Sequence, residues 1–175
     1  MTRIAPESQA CAEDAIELAL CRSALYEALA LGFRPPSAEI TGRLVGRGAS
    51  GLVYAAVTLD RTAAAAAHDG ETAPGSLARL VSQLAETDTD LAALTVAHRR
   101  LFGHTVRGAS SAYETEYGSD DIFQQPRELA DLGGFYAAFG LEVAPDAGER
   151  ADHISCECEF LMVLHRKEAW ALEQG

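Results

Sequence analysis

The chain has few basic residues. Against 26 Asp and Glu it carries only 14 Lys and Arg, a formal charge of −12. A polyanion would meet net repulsion, which excludes direct nucleic-acid binding and points to a basic partner. Long apolar runs are missing as well. Runs such as Phe160 to Leu164, five residues, fall far short of the roughly 20 needed to span a bilayer, so the chain is not expected to be membrane-embedded. The first residues hold one arginine followed by acids at Glu7, Glu13 and Asp14, without the uninterrupted apolar segment of a secretory signal; a cytoplasmic location is expected. Cysteine is sparse: Cys11, Cys21, Cys156 and Cys158 are too few for a disulfide framework in a chain this long, and reduced thiols are expected. Alternating β-branched and aromatic runs are absent, which removes strands and with them phosphate loops, dinucleotide fingerprints and the Gly-x-Ser-x-Gly elbow. Gly46-Arg-Gly-Ala-Ser-Gly51 lacks the lysine and the strand of a P-loop and reads as an interhelical connection.

What is present is helical periodicity over 175 residues, with 48% hydrophobic and 23% charged residues: the composition of one folded all-α domain, a helical bundle. A first helix is predicted from about Ser8 to Leu31, ending before Pro35-Pro36, and Ser37 can cap a short helix holding Ile40, Leu44 and Val45. A third is predicted from Leu52 to Ala67, its end a run of alanines with little area to bury. Ser76 caps a segment with Leu77, Leu80, Val81 and Leu84 on one face. Asp88 or Asp90 caps another with Leu91, Leu94, Ala97, Leu101 and Phe102. His98, beside Arg99-Arg100, reads as helix surface. Pro126 opens a helix that stops at Gly140, with Leu129, Leu132, Phe135, Tyr136 and Phe139 expected inside. The last helix begins near Glu149 to Asp152 and runs through the core toward Trp170, with Asp152 placed to cap it.

Between Gly103 and Gln125 about twenty residues lack helical periodicity, a length uncommon in a compact domain unless functional. Within it, Tyr113-Glu-Thr-Glu-Tyr-Gly-Ser-Asp-Asp121 puts two tyrosines and four carboxylates into nine residues. Flat amphipathic rings beside bidentate acceptors suit a basic peptide with apolar neighbours; equally, the tyrosines could anchor the loop while the acids solvate it. The second cluster is Glu149-Arg-Ala-Asp-His-Ile154, where capping and dipole effects are the default roles. His153, Cys156, Glu157, Cys158 and His165 crowd one helix, yet residues two apart point roughly 200° from each other, so Cys156 and Cys158 cannot share an ion there. No metal, cofactor or catalytic residue is expected.

Four segments carry a family resemblance. They are Arg22-Ser-Ala-Leu-Tyr-Glu-Ala-Leu-Ala30 with Phe33 and Pro35-Pro36; Leu101-Phe-Gly103 leading to Tyr113-Glu-Thr-Glu-Tyr-Gly118; Leu129-Ala-Asp-Leu-Gly-Gly-Phe-Tyr-Ala-Ala-Phe-Gly-Leu141; and Glu149-Arg-Ala-Asp-His-Ile-Ser155 running into Glu157-Cys-Glu-Phe160. In order and spacing, from about residue 20 to 170, the chain resembles the cytoplasmic chaperones of molybdenum enzymes of the dimethyl-sulfoxide-reductase type, the TorD, DmsD and NarJ group. Within that group it is most similar to those serving enzymes like ethylbenzene or dimethyl sulfide dehydrogenase. The resemblance implies an all-helical, non-catalytic chaperone of the TorD-like fold. It would bind the apo catalytic subunit and its twin-arginine leader, as monomer or homodimer, until molybdenum cofactor is inserted and export is allowed. It also implies client recognition by Tyr113, Glu114, Glu116, Tyr117, Asp152 and His153. On that basis Asp152→Asn with Glu116→Gln is expected to weaken client binding without unfolding the domain.

Two departures stand out: the connection Thr105-Val-Arg-Gly-Ala-Ser-Ser111 lacks the prolines of many relatives, and the chain stops at Gly175, where relatives continue, so either the member is short or its C-terminus is truncated. The rival readings are a small metal-dependent enzyme using His153, Glu157 and the cysteines, and a generic helical adaptor.

Overall fold

The computed structural model describes residues 6–45, 49–66, 76–86, 90–103, 110–117, 124–145 and 148–175. Among these residues there are seven α-helices: α1 (Pro6–Phe33), α2 (Ala38–Leu44), α3 (Ala49–Ala66), α4 (Ser76–Glu86), α5 (Leu91–Phe102), α6 (Gln125–Ala138) and α7 (Ile154–Gln174). The only pairing of strand type among them is an isolated antiparallel bridge between Tyr113 and His153. The fold is an all-α bundle. It divides into two compact units, the first drawn from the described parts of Met1–Ala28, Gly42–Thr87 and Leu161–Gly175, the second from Leu29–Thr41 and Asp88–Phe160.

Local chemistry explains several helix ends. Ser37 Oγ accepts from the Ile40 N–H at 3.2 Å and starts α2. Asp90 Oδ1 accepts from the Ala92 N–H at 2.9 Å and starts α5, which Gly103 ends with φ 71°, a conformation glycine adopts without steric cost. Asp88 lies outside the described residues. Pro126 occupies the first turn of α6, where a missing N–H costs nothing, and Gly140 follows at φ 75°. At α4 the terminal donor is served from another helix: Asp60 of α3 accepts from the Ala78 N–H at 2.8 Å.

The first unit buries small residues: Ala19, Cys21 and Ser23 of α1, Ala49, Ala55 and Ala56 of α3, Ala169 of α7. Ser23 Oγ donates to the Met162 carbonyl at 3.1 Å, an α1–α7 link. Gly51, expected in a connection, sits within α3. Leu80 and Leu84, expected inside, are exposed on α4. The alanines at the end of α3 are exposed too, and alanine offers too little surface to cover a leucine face.

In the second unit the core is Ala30, Leu31, Ala112, Tyr136, Cys156, Cys158 and Phe160. Phe33 meets Phe102 edge-on at 5.6 Å, and Arg34 pairs with Glu159 at 2.7 Å. His98 is not simple helix surface: it is half-buried, its Nε2 lies 3.1 Å from the Phe33 carbonyl and its ring 4.9 Å from that of Phe102. Of the apolar face expected on α6 only Tyr136 is buried. Phe135 and Phe139 stand partly in solvent around Phe160, with ring centroids 5.2–5.3 Å apart. Leu101 of α5 and Trp170 of α7 are exposed as well.

Candidate functional site

The second unit brings the two sequence clusters together. The Ile154 N–H donates to the Ala112 carbonyl at 2.8 Å and the Glu114 N–H to the Asp152 carbonyl at 2.9 Å, so the segment before α7 pairs with the segment before a single 3₁₀ turn, Glu114–Glu116. Backbone pairing over forty residues of separation needs side chains to hold it, and the held side chain is Asp152.

Asp152 is 0% exposed. Arg150 grips it with both arms of its guanidinium, Nε to Oδ1 at 2.9 Å and Nη2 to Oδ2 at 2.7 Å. Thr115 adds its hydroxyl to Oδ2 at 2.6 Å and its N–H at 3.3 Å. Burial by itself would raise the Asp152 pKa, but the hydrogen bonds from Arg150 and Thr115 outweigh it and hold the carboxylate below its ordinary value. The same bond to Asp152 raises Arg150. A buried charge satisfied in this way is a structural clamp. Gln125 extends it, its Nε2 donating to Thr115 Oγ1 at 3.0 Å and to Glu116 Oε1 at 3.2 Å; Glu116 also lies 3.8 Å from Arg150.

Asp152 therefore does not cap α7. His153 stands directly before the helix, and its Nδ1 accepts from the Ser155 N–H at 3.2 Å, with the Ser155 hydroxyl 2.6 Å away. A ring nitrogen accepting from a backbone N–H carries no proton, so the hydrogen of the neutral ring is on Nε2, which lies 3.8 Å from Glu149 Oε2. Burial lowers the His153 pKa, against the opposite pull of Glu149 and Asp152. Tyr113 closes this side: its hydroxyl donates to Glu149 Oε2 at 2.7 Å, its ring meets His153 edge-on at 4.9 Å, and Arg150 lies over it at 4.4 Å, a cation–π contact. Burial first, and the Glu149 bond second, push the phenol up to about 12.

Of the six expected recognition residues, Tyr113, Glu116, Asp152 and His153 thus face one another. Glu114 and Tyr117 face outward. Tyr117 is 72% exposed, its hydroxyl tied to the Ser111 carbonyl at 2.8 Å. Both line an open groove of about 660 Å³ with Thr115 and with Glu128, Asp131, Leu132 and Phe135 of α6. The α6 residues fall at i, i+3, i+4 and i+7, one helix face. That spacing was readable in the sequence, but there Leu132 and Phe135 pass as core. Phe135 is 52% exposed. Glu114, Glu128 and Asp131 carry no side-chain ion pair among the described residues. The groove therefore offers three carboxylates beside an aromatic and aliphatic wall, the surface chemistry of a site for cations with apolar neighbours.

The other candidate cluster has a different character. Burial raises the thiols of Cys156 and Cys158, the reverse of the thiolate a metal requires. Burial, then Glu114 and Asp152, raise the Glu157 carboxyl, whose buried Oε1 has no hydrogen-bond partner among the described residues. No three His, Cys, Asp or Glu side chains gather at a metal-binding distance among the described residues, and no described helix is long and apolar enough to cross a membrane.

Comparison with known proteins gives a family and no individual relative. No curated protein and no solved structure matches the chain. The family model described as nitrate reductase delta subunit matches residues 65–174, more than half of the chain, and the matched stretch contains α4 to α7, the Asp152 clamp and the acidic groove. The chain belongs to the nitrate reductase delta subunit family, the NarJ and TorD type, whose members are chaperones of molybdoenzyme maturation and not catalysts.

Proposed function

We propose that this chaperone works in the cytoplasm on the apo catalytic subunit of one molybdenum oxidoreductase, of the nitrate reductase or dimethyl-sulfoxide-reductase type. It receives the subunit's twin-arginine leader in the groove of Glu114, Tyr117, Glu128, Asp131, Leu132 and Phe135. Holding the leader delays export until molybdenum cofactor is in place. Family membership supports the chaperone role and sets aside the metal-dependent enzyme. The single observation that supports the leader as ligand is the pairing of three carboxylates with an exposed aromatic wall in one groove. Two adjacent guanidinium groups need planar anionic acceptors, and the apolar stretch that follows needs a ring to lie on.

In this reading Tyr113, Glu116, Asp152 and His153 present the groove and do not touch the client. The double change Asp152→Asn, Glu116→Gln is then a folding test and not a binding test. The binding test is titration of a labelled leader peptide against the purified protein: micromolar affinity for the arginine pair, weakened by salt because exposed charges are screened over about 8 Å. Equal affinity for a peptide with alanines in place of the pair removes the leader from the proposal, while co-purification with a large redox subunit tests the chaperone role separately.

A further inference from the structure

The first unit has an acidic groove of its own. One face of α1 supplies Glu13, Ile16, Glu17, Leu20, Cys21 and Ala24; α3 supplies Gly51, Tyr54 and Ala55, and α7 supplies Glu173, around a cleft of about 580 Å³. Its floor is made of small residues: Cys21 and Ala55 are buried, and a Cβ added at Gly51 would meet nothing within 4 Å. Its walls are apolar and wet, with Leu20 49% and Tyr54 57% exposed. Its rim is acidic. Glu17 accepts from the Tyr54 hydroxyl, and among the described residues no basic side chain lines the cleft. From Glu13 to Ala24 the face runs i, i+3, i+4, i+7, i+8, i+11, about 16 Å or three turns at 1.5 Å per residue. Apart from Glu173, the lining residues precede the segment matched by the family, so the family resemblance does not account for this surface.

We propose that this groove is a second docking surface, which takes a short amphipathic helix with basic flanks from the client's mature chain. A floor of small residues between two helices lets a third helix approach closely, the arrangement by which apolar anchors at i, i+3, i+4 and i+7 are gripped. Three glutamates at the rim select basic flanks. A second copy of the chain is disfavoured as occupant, since each copy carries −12 and brings like charge to an acidic rim. The proposal rests on the chaperone reading for the source of the helix; the chemistry of the groove stands independently of it.

The test uses the full chain and a fluorescein-labelled helical peptide of about four turns with leucines at i, i+3, i+4 and i+7 and lysines beside them. Fluorescence anisotropy is expected to give micromolar binding. Binding should weaken about tenfold or more in Glu13→Lys/Glu173→Lys, and again in Gly51→Leu, which fills the cleft, while Asp131→Lys leaves it unchanged. Far-ultraviolet circular dichroism checks the fold of each. Should Gly51→Leu unfold, the charge pair still decides, because Glu13 and Glu173 are exposed. Absence of binding, retention in both rim and floor variants, or loss in Asp131→Lys overturns the proposal. So does self-association of the unmodified protein that Gly51→Leu disperses, which assigns the groove to a second copy. Leader titration keeps the two sites apart: leader capture by the unmodified protein without binding of the helical probe sinks this proposal alone, whereas variants that lose the probe and keep the leader support it.

Discussion

The Asp152 clamp and the groove beside it are built from the same side-chain types and behave oppositely. In the clamp every carboxylate has a partner: Asp152 has Arg150 and Thr115, Glu149 has Tyr113, Glu116 has Gln125. In the groove Glu114, Glu128 and Asp131 line open space with Tyr117 and Phe135. A carboxylate already bonded in the interior contributes to folding and has nothing left to offer a ligand, whereas one held at a surface costs little to keep and can exchange water for a guanidinium. Acidic composition is therefore a poor guide to a binding site until the internal partners of each acid are known.

Substitutions separate the two regions, and the largest effect belongs to the clamp. Asp152→Ala leaves Arg150 without its acceptor inside a half-buried site and is expected to cost about 3 kcal/mol of stability, the range for removing one partner of a buried pair; urea unfolding followed by circular dichroism measures it. A loss below about 0.5 kcal/mol, the size of an ordinary surface change, would return Asp152 to the list of client contacts. In the groove the triple change Glu114→Gln, Glu128→Gln, Asp131→Asn should reverse the pattern, with stability within about 0.5 kcal/mol of the parent and leader affinity down about tenfold, as expected for a few exposed charge pairs at up to about 1 kcal/mol each. Unchanged leader affinity in a folded protein breaks the comparison from the other side.

Tyr113→Phe sharpens it. Removing the hydroxyl that bonds Glu149 should cost about 1 kcal/mol and leave leader affinity alone, because the ring contacts to His153 and Arg150 persist; a drop in affinity with stability intact would place Tyr113 at the client. The smallest effect is a pH dependence. His153 is held neutral by burial, facing Glu149, Asp152, Arg34 and His98, so the unfolded chain takes up its proton first, at about pH 6.5. Its contribution is complete above that value and declines as pH falls toward the depressed folded pKa. Asp152, also depressed, contributes above about pH 3.9 and is lost at still lower pH. Glu157, raised by burial, acts in the opposite sense, gaining as pH falls toward its unfolded value. His153 therefore favours pH 7 over pH 5.5, and the difference in stability between the two should shift toward pH 5.5 in His153→Gln; a variant that keeps the parent's pH dependence contradicts the buried neutral ring.

Much of the fold was legible because it is local. Asp90, Ser37, Pro126 and Gly103 act on residues within four positions, and their chemistry reads directly from spacing. The faces of α4 and α6 were misread for the opposite reason. Periodicity reports that a stripe is apolar but not whether anything large enough arrives to cover it, and Leu80, Leu84 and Phe135 stayed outside. The site was half legible. The loop from Tyr113 and the segment from Glu149 stood out by composition, but the cap of α7 moved from Asp152 to His153 because Thr115 and Arg150 claim the aspartate first.

By itself the sequence determined a helical protein with an acidic surface, two acid-rich segments and no nucleophile or metal motif, since propensity and capping depend on near neighbours and net charge on composition alone. Only the tertiary structure decided which carboxylates remain available. That choice depends on partners far along the chain: Glu114 meets α6, and Asp152 meets Thr115 across thirty-seven positions. Burial and pairing are properties of the assembled interior and not of any window of residues.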